Sequence, residues 1–180
     1  MKPGTAVALA AALLIAGGLG AAEPEPAGYR GEPYLAPVAA TLAGAQVIGT
    51  EAAHALWTSG RVGFVDVLPR APRPPDLPAG TVWRDAPHET IPGAIWLPNT
   101  GYAALADETR DYLLVGLAAV TGGDAAGPVV VFCQRDCWMS WNAAKRAVEH
   151  GYRRVYWYPD GVDGWGFDGF PLEPATPWTP

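Results

Sequence analysis

Cysteine is nearly absent: Cys133 and Cys137 are the only two in 180 residues, which excludes the disulfide framework on which small secreted domains depend. Basic residues are scarce as well. The chain carries 12 Lys and Arg against 18 Asp and Glu, a formal charge of −6, so nucleic acid is not an expected partner. The apolar run from Ala6 to Ala16 is too short to span a bilayer. Histidine occurs three times and never as a spaced pair beside the cysteines, which argues little for zinc. Asp160, Asp163 and Asp168 lie among glycines without EF-hand spacing, so ordinary turns are expected there and not a calcium loop.

What is present fits one globular domain. Hydrophobic residues make up 49% of the chain and charged residues 17%, enough for a sizeable core. Lys2, the apolar run and the small residues Gly17 to Ala22 have the layout of a secretory signal peptide over 1–22, cut after Ala22. The expected product is an exported, periplasmic protein. No cysteine stands near the cut, so neither a lipid anchor nor a stable membrane anchor is expected. Residues 23–45, rich in Pro and Ala, read as an extended arm lying on the domain, with disorder expected most for Glu23 to Ala27. The domain then runs over 46–170, and 171–180 is a Pro-rich tail expected to hold Trp178 loosely.

Strands are expected at Gln46–Ile48, Gly63–Val67, Ala94–Leu97, Val129–Phe132 and Val155–Tyr158, and helices at Thr50–Ser59 and Asp107–Val120. Alternation of the two predicts an α/β fold, a parallel sheet of about five strands with helices on both faces. The run 68–90 is Pro-rich and aperiodic, longer than most connections in compact domains. Because it follows the strand that ends at Asp66, it belongs at the carboxyl edge of the sheet, where open α/β sheets bind ligands. Trp83, Arg84 and His88 are its candidates for covering or lining a site.

The chain is organised around 129–152. Val129 to Phe132 is a β-branched and aromatic run that suits a strand buried on both faces, and it stops at Cys133. From Ser140, suited to an N-cap, Ala143, Ala144, Ala147 and Val148 recur on one helical face until Gly151. A cysteine between a strand and a helix lies where backbone N–H groups and the positive helix end favour an anion, the condition for a nucleophilic thiolate. Cys133, next to the strand, is expected to receive those amides and to attack. Cys137, beside Trp138, is expected to be more shielded and to act as the resolving thiol.

This order of strand, cysteine loop, small-residue helix and Gly-Tyr resembles a rhodanese-like domain. Phe64–Val67 resembles that family's strand ending in an aspartate, Ile91–Ile95 its IPGA turn, and Tyr158–Trp165 its closing Gly and Trp segment. The blocks 41–45, 91–102, 137–147 and 157–165 resemble a narrower group, the rhodanese-like CXXCW-motif proteins of PQQ-dependent catabolism. That resemblance implies a periplasmic accessory of quinoprotein alcohol oxidation. Three residues separate Cys133 from Cys137, where the group's label describes two. No fingerprint for PQQ itself is present, and no cofactor or metal is expected.

Three classes of function stay open on the residues. In sulfur transfer or thiol–disulfide exchange, Cys133, Cys137, Arg135 and Asp66 are the catalytic candidates, and Gln134, Asp136, Trp138, Met139 and Ser140 line the substrate. Four positions apart in a helical turn, the two cysteines have α-carbons about 6 Å apart, inside the disulfide range. Asp136 offsets Arg135 and leaves the loop less cationic than an inorganic anion prefers. The partner would be a small sulfur donor or a thiol. A second class is Cu(I) handling by the two thiols with Met139 or His88. A third is a binding module, with Trp138, Trp141, Trp157 and Trp165 offering an aromatic surface to a quinoprotein dehydrogenase or c-type cytochrome, although core packing is the favoured reading of Trp141 and Trp165.

Overall fold

The computed structural model describes residues 23–84 and 86–180. The segment 1–22, where the export signal is expected, lies outside the described residues.

Five parallel strands form the sheet: β1 (Ala45–Val47), β2 (Gly63–Asp66), β4 (Ile95–Trp96), β5 (Pro128–Phe132) and β6 (Arg154–Tyr158), in the order β1-β6-β5-β2-β4. Parallel neighbours need crossovers; the helices α1 (Thr50–Thr58), α2 (Asp107–Thr121) and α3 (Trp138–Glu149) lie in three of the connections, and the segment 67–94, with no helix among its described residues, joins β2 to its neighbour β4. A fourth helix, α4 (Gly161–Phe167), follows β6.

Alternation along the central strands sorts the core into two layers. Val65, Val129, Val131 and Trp157 face α2 and α3, meeting Leu113 and Leu117 from the first and Trp141, Ala143, Ala144 and Ala147 from the second. Phe64, Val130, Phe132 and Tyr158 face the other way, against Ala53 of α1 and Trp165 of α4. The alanines explain the sequence of α3, because small side chains let its axis approach a sheet that is already crowded by Trp157. The fold is thus a single α/β layer structure with helices on both faces.

Several local expectations are corrected. Helix α3 begins at Trp138 with Cys137 as its N-cap, three residues before the expected cap Ser140, which is buried and turns its hydroxyl onto the Cys137 carbonyl at 3.0 Å. The glycine-rich stretch after Tyr158, read as turns, forms α4, since Trp165 is drawn into the core and its indole N–H reaches the Pro171 carbonyl at 2.8 Å. Two short strands escaped the pattern, β3 (Glu89–Thr90) and β7 (Glu173–Pro174), which pair antiparallel. The tail is therefore tied down. Trp178 donates its backbone N–H to Trp96 at 2.9 Å and accepts the Tyr112 hydroxyl at 2.5 Å.

The arm is also ordered by contacts that composition does not reveal. Glu23 pairs with Ala39 in an isolated bridge. The Glu25 carboxylate accepts the Thr41 hydroxyl and the Ala43 N–H. Further along, the buried Asn142 amide of α3 accepts the Arg30 N–H and donates to the carbonyls of Arg30 and Gly101, each at 2.9 Å. The arm then reaches the cysteine loop, where Leu35 and Cys137 form an antiparallel bridge.

Candidate functional site

The register of the two central strands fixes the site. Asp66 is paired with Phe132, so Asp66 and Cys133, the residue after Phe132, sit at the same carboxyl edge on adjacent strands, as the strand pattern predicts. Beyond Cys133 the chain must reverse within a few residues to start α3. Asp136 takes a left-handed conformation, φ 54°, which Asp tolerates better than most residues. The turn folds Cys137 back over Cys133. Their sulfurs lie 2.6 Å apart, about half an ångström beyond the length of a disulfide bond.

The two thiols are not equivalent. Cys133 is fully buried on the α2 and α3 side of the sheet, and burial pushes its thiol well above the usual cysteine value, helped by its hydrogen bond to Cys137. Cys137 is pulled the other way. The Cys133 thiol donates to it, and the backbone N–H groups of Met139, Ser140 and Gln134 direct their positive ends at its sulfur. No side chain caps α3 with a hydrogen bond of ordinary geometry, so the sulfur stands in that field in place of an oxygen cap. More of the loop amides are directed at Cys137 than at Cys133, which takes that of Gln134; both thiols are buried, Cys137 on the cavity wall and Cys133 off it. The reason is the early start of α3, which moves the helix N-terminus from Ser140 to Cys137.

Above the pair opens a cavity of about 360 Å³ lined by Cys137, Gln134 and Met139 from the loop and α3, and by His88, Trp96 and Tyr34 from three other segments, among further residues of 68–72 and 86–88. Cys133 is not on its wall. Of the candidates in 68–90, His88 lines the cavity, whereas Trp83 and Arg84 are exposed away from it. Asp66 stands behind His88. Its buried carboxylate accepts from His88 Nε2 at 2.7 Å, from the Thr90 hydroxyl at 2.7 Å and from the Leu68 N–H at 2.8 Å.

The remaining candidates do not join the cavity wall. Arg135 is exposed, with its N–H on the Asp163 carboxylate at 3.0 Å and its Nε on Asp160 at 3.2 Å, so α4 holds its charge outside. Asp136 is exposed and offers its carbonyl to Ala36. Trp138 is buried, its indole N–H on the Pro37 carbonyl at 3.1 Å. Ser140 accepts the Trp157 indole N–H at 3.0 Å and is a core link. Trp141, Trp157 and Trp165 are fully buried, so the four tryptophans make no docking face. Tyr34, Tyr102 and Trp96 are wall residues that pattern reading missed. A tyrosine in a Pro-rich arm carries no periodic signal; long-range contacts bring Tyr34 to the site, the Leu35 to Cys137 bridge, the Trp138 N–H on its carbonyl at 2.9 Å and the Ala103 N–H on its hydroxyl at 3.1 Å among them.

Residues 51–167, which span β2, the cysteine loop and α4, match the model of the rhodanese-like domain. The chain belongs to that family. Over 82 residues it is 34% identical to the thiosulfate sulfurtransferase GlpE of Actinobacillus pleuropneumoniae serotype 5b, a match that covers 46% of this chain and 62% of GlpE. This rhodanese-like domain thus spans under two thirds of that curated relative's length. Among solved structures, YnjE superposes with a TM-score of 0.51 at 18% identity, covering 74% of this chain and 32% of YnjE. The polysulfide-sulfur transferase homodimer of Wolinella succinogenes gives 0.45 at 22% identity, over 73% of this chain and 80% of that one. Among the described residues, no group of three or more His, Cys, Asp and Glu is placed to hold a metal ion.

Proposed function

We propose that this rhodanese-like domain carries sulfur chemistry on a two-cysteine centre, in which Cys137 attacks a sulfur–sulfur bond and Cys133 resolves the adduct. One observation carries the reading. The sulfurs stand 2.6 Å apart, and only Cys137 both lines the cavity and receives the loop amides. In sulfur transfer Cys137 takes the sulfane sulfur as a persulfide; in thiol–disulfide exchange it takes half of a disulfide. Either adduct is within reach of Cys133, whose attack on Cys137 Sγ closes the internal disulfide. The division of labour reverses the one expected from the loop sequence. When reduced protein is exposed to a small disulfide, Cys133→Ser should accumulate a mixed disulfide on Cys137, located by peptide mass. The wild type should pass on to a form lighter by the two thiol hydrogens. A stable adduct on Cys133 in Cys137→Ser, with none on Cys137 in Cys133→Ser, refutes the assignment.

The cellular setting belongs to the same proposal. The N-terminal layout of 1–22 supports export to the periplasm, and the four sequence blocks that resemble the CXXCW-motif group support a role beside PQQ-dependent alcohol oxidation. The acidic surface suits a basic partner such as a c-type cytochrome. The protein recovered from a periplasmic fraction should begin near Glu23. Met1 retained in a membrane fraction contradicts the export reading.

A further inference from the structure

The wall of the cavity over Cys137 carries an imidazole, His88, that the cysteine pair leaves unused. The side chain of His88 is 8% exposed, and its Nε2 lies 2.7 Å from an Asp66 carboxylate with no exposure at all. Asp66 also takes the Thr90 hydroxyl and the Leu68 N–H. With donors converging on it, the carboxylate acts as acceptor, so Nε2 carries the proton of that bond. The Trp96 ring, 4.5 Å from the imidazole centroid, holds its tilt. Nδ1 has no protein partner among the described residues and is the nitrogen left for the cavity that His88 lines. An oriented imidazole with one nitrogen engaged by a buried carboxylate and the other open to a reactive thiol's cavity is the arrangement of a proton relay.

The walls indicate what enters. They are mostly Leu, Pro, Ala and aromatic side chains, Leu68, Pro69, Pro72, Trp96 and Met139 among them, and the volume is at the small end of the range for organic ligands. Arg135, the loop cation, is turned away to Asp160, which leaves Arg70 as the cation on an otherwise mostly apolar wall. A hydrated inorganic dianion loses more by entering such walls than an apolar body does.

Resting on the reading of Cys137 as the attacking thiol, we infer that the cavity takes a small organic disulfide with an apolar body and that His88, held by Asp66, protonates the departing thiolate. Cys137 passes its proton to Nδ1 and attacks one sulfur of RSSR. The ligand's S–S bond breaks as the Cys137 Sγ–S bond forms, and the expelled thiolate takes the His88 proton to leave as RSH. Cys133 then attacks Cys137 Sγ as its thiol proton passes to the departing second thiolate, which leaves as RSH. The cysteine pair loses two electrons and the ligand gains them. A thiolate released among apolar walls is poorly solvated, which is why a proton supplied at that moment matters.

The test is the dependence on leaving group, read as the single-turnover rate of the reduced full chain. Dibenzyl disulfide expels a basic thiolate that needs protonation, and dithiodipyridine expels a weakly basic one that does not. His88→Asn should slow the benzyl reaction on the order of 100-fold and the dithiodipyridine reaction only on the order of tenfold, the smaller loss being the acceptance of the Cys137 proton that both reactions share. Added imidazole should restore part of the benzyl rate. If His88→Asn does not fold, as judged by its thermal unfolding, His88→Gln takes its place. Equal slowing of both disulfides, or of neither, overturns the role of His88. Thiosulfate loading Cys137 faster than dibenzyl disulfide overturns the ligand class. If neither disulfide ever modifies Cys137 in the wild type, the attacking-thiol reading has failed and this inference falls with it.

Discussion

With the remaining cysteine reduced, Cys137→Ser should lose nearly all alkylation by iodoacetamide near neutral pH, while Cys133→Ser should keep a fast-reacting thiol. In Cys137→Ser the remaining thiol is fully buried, neutral at that pH, and absent from the cavity wall. In Cys133→Ser the remaining thiol keeps the field of the Met139, Ser140 and Gln134 amides, and a serine hydroxyl still donates to it. The gap between the two variants should exceed tenfold, the effect of about one unit of thiol pKa. The pH dependence has a definite sign. Because the Cys137 value is lowered, its thiolate persists below the pH at which a free cysteine has lost its own, and reactivity falls only as pH drops through that lowered value. Fast alkylation of Cys137→Ser with a sluggish Cys133→Ser would restore Cys133 as the attacking thiol.

Gly161→Ala should be among the most disruptive single-methyl changes in the molecule. Gly161 has φ +50°, and an added Cβ would stand 2.0 Å from the Cys133 carbonyl oxygen and 2.6 Å from its carbon. Those are backbone atoms and cannot step aside as a flexible side chain does. The same carbonyl accepts the Val162 N–H at 2.9 Å, and Gly161 bridges to Gln134, so a shift of α4 drags the cysteine loop with it. The expected loss is about 3 kcal/mol or more in urea unfolding, the range of severe core and strain mutations. Gly93→Ala is the control. Its φ is +79° with no atom near the added methyl, so it bears the left-handed strain alone, about 1 kcal/mol. Equal losses in the two variants would show that conformational strain, and not the close approach of α4 to the loop, accounts for Gly161. Slower formation of the Cys133–Cys137 disulfide in Gly161→Ala than in Gly93→Ala is the accompanying expectation at the site.

The strands that carry the site were legible because their residues have no other use. Val129 to Phe132 is apolar on both faces and lies within a strand buried on both faces, and Gly63 to Asp66 is its neighbour in the sheet. Placing Asp66 and Cys133 on one edge follows from parallel pairing alone. The tail and α4 were read as loose or as turns, and the arm as lying on the domain without its anchors, because their order comes from single contacts. Asn142 against Arg30, Trp178 against Trp96, and Trp165 against Pro171 are long-range or one-off contacts in stretches without a repeating pattern.

Local sequence determined that a cysteine pair would sit between a central strand and a helix, opposite an aspartate, since hydrophobic period and chain order decide both. Tertiary structure alone decided which thiol faces the cavity. The early start of α3 and the left-handed Asp136 set the helix N-terminus on Cys137, the sheet and α3 close over Cys133, and α4 draws Arg135 away. It also chose His88 from a Pro-rich segment as the partner of Asp66. Burial, amide direction and the pairing of charges depend on elements distant in sequence, so the ionisation of a thiol is a property of the packed fold and not of the motif that carries it.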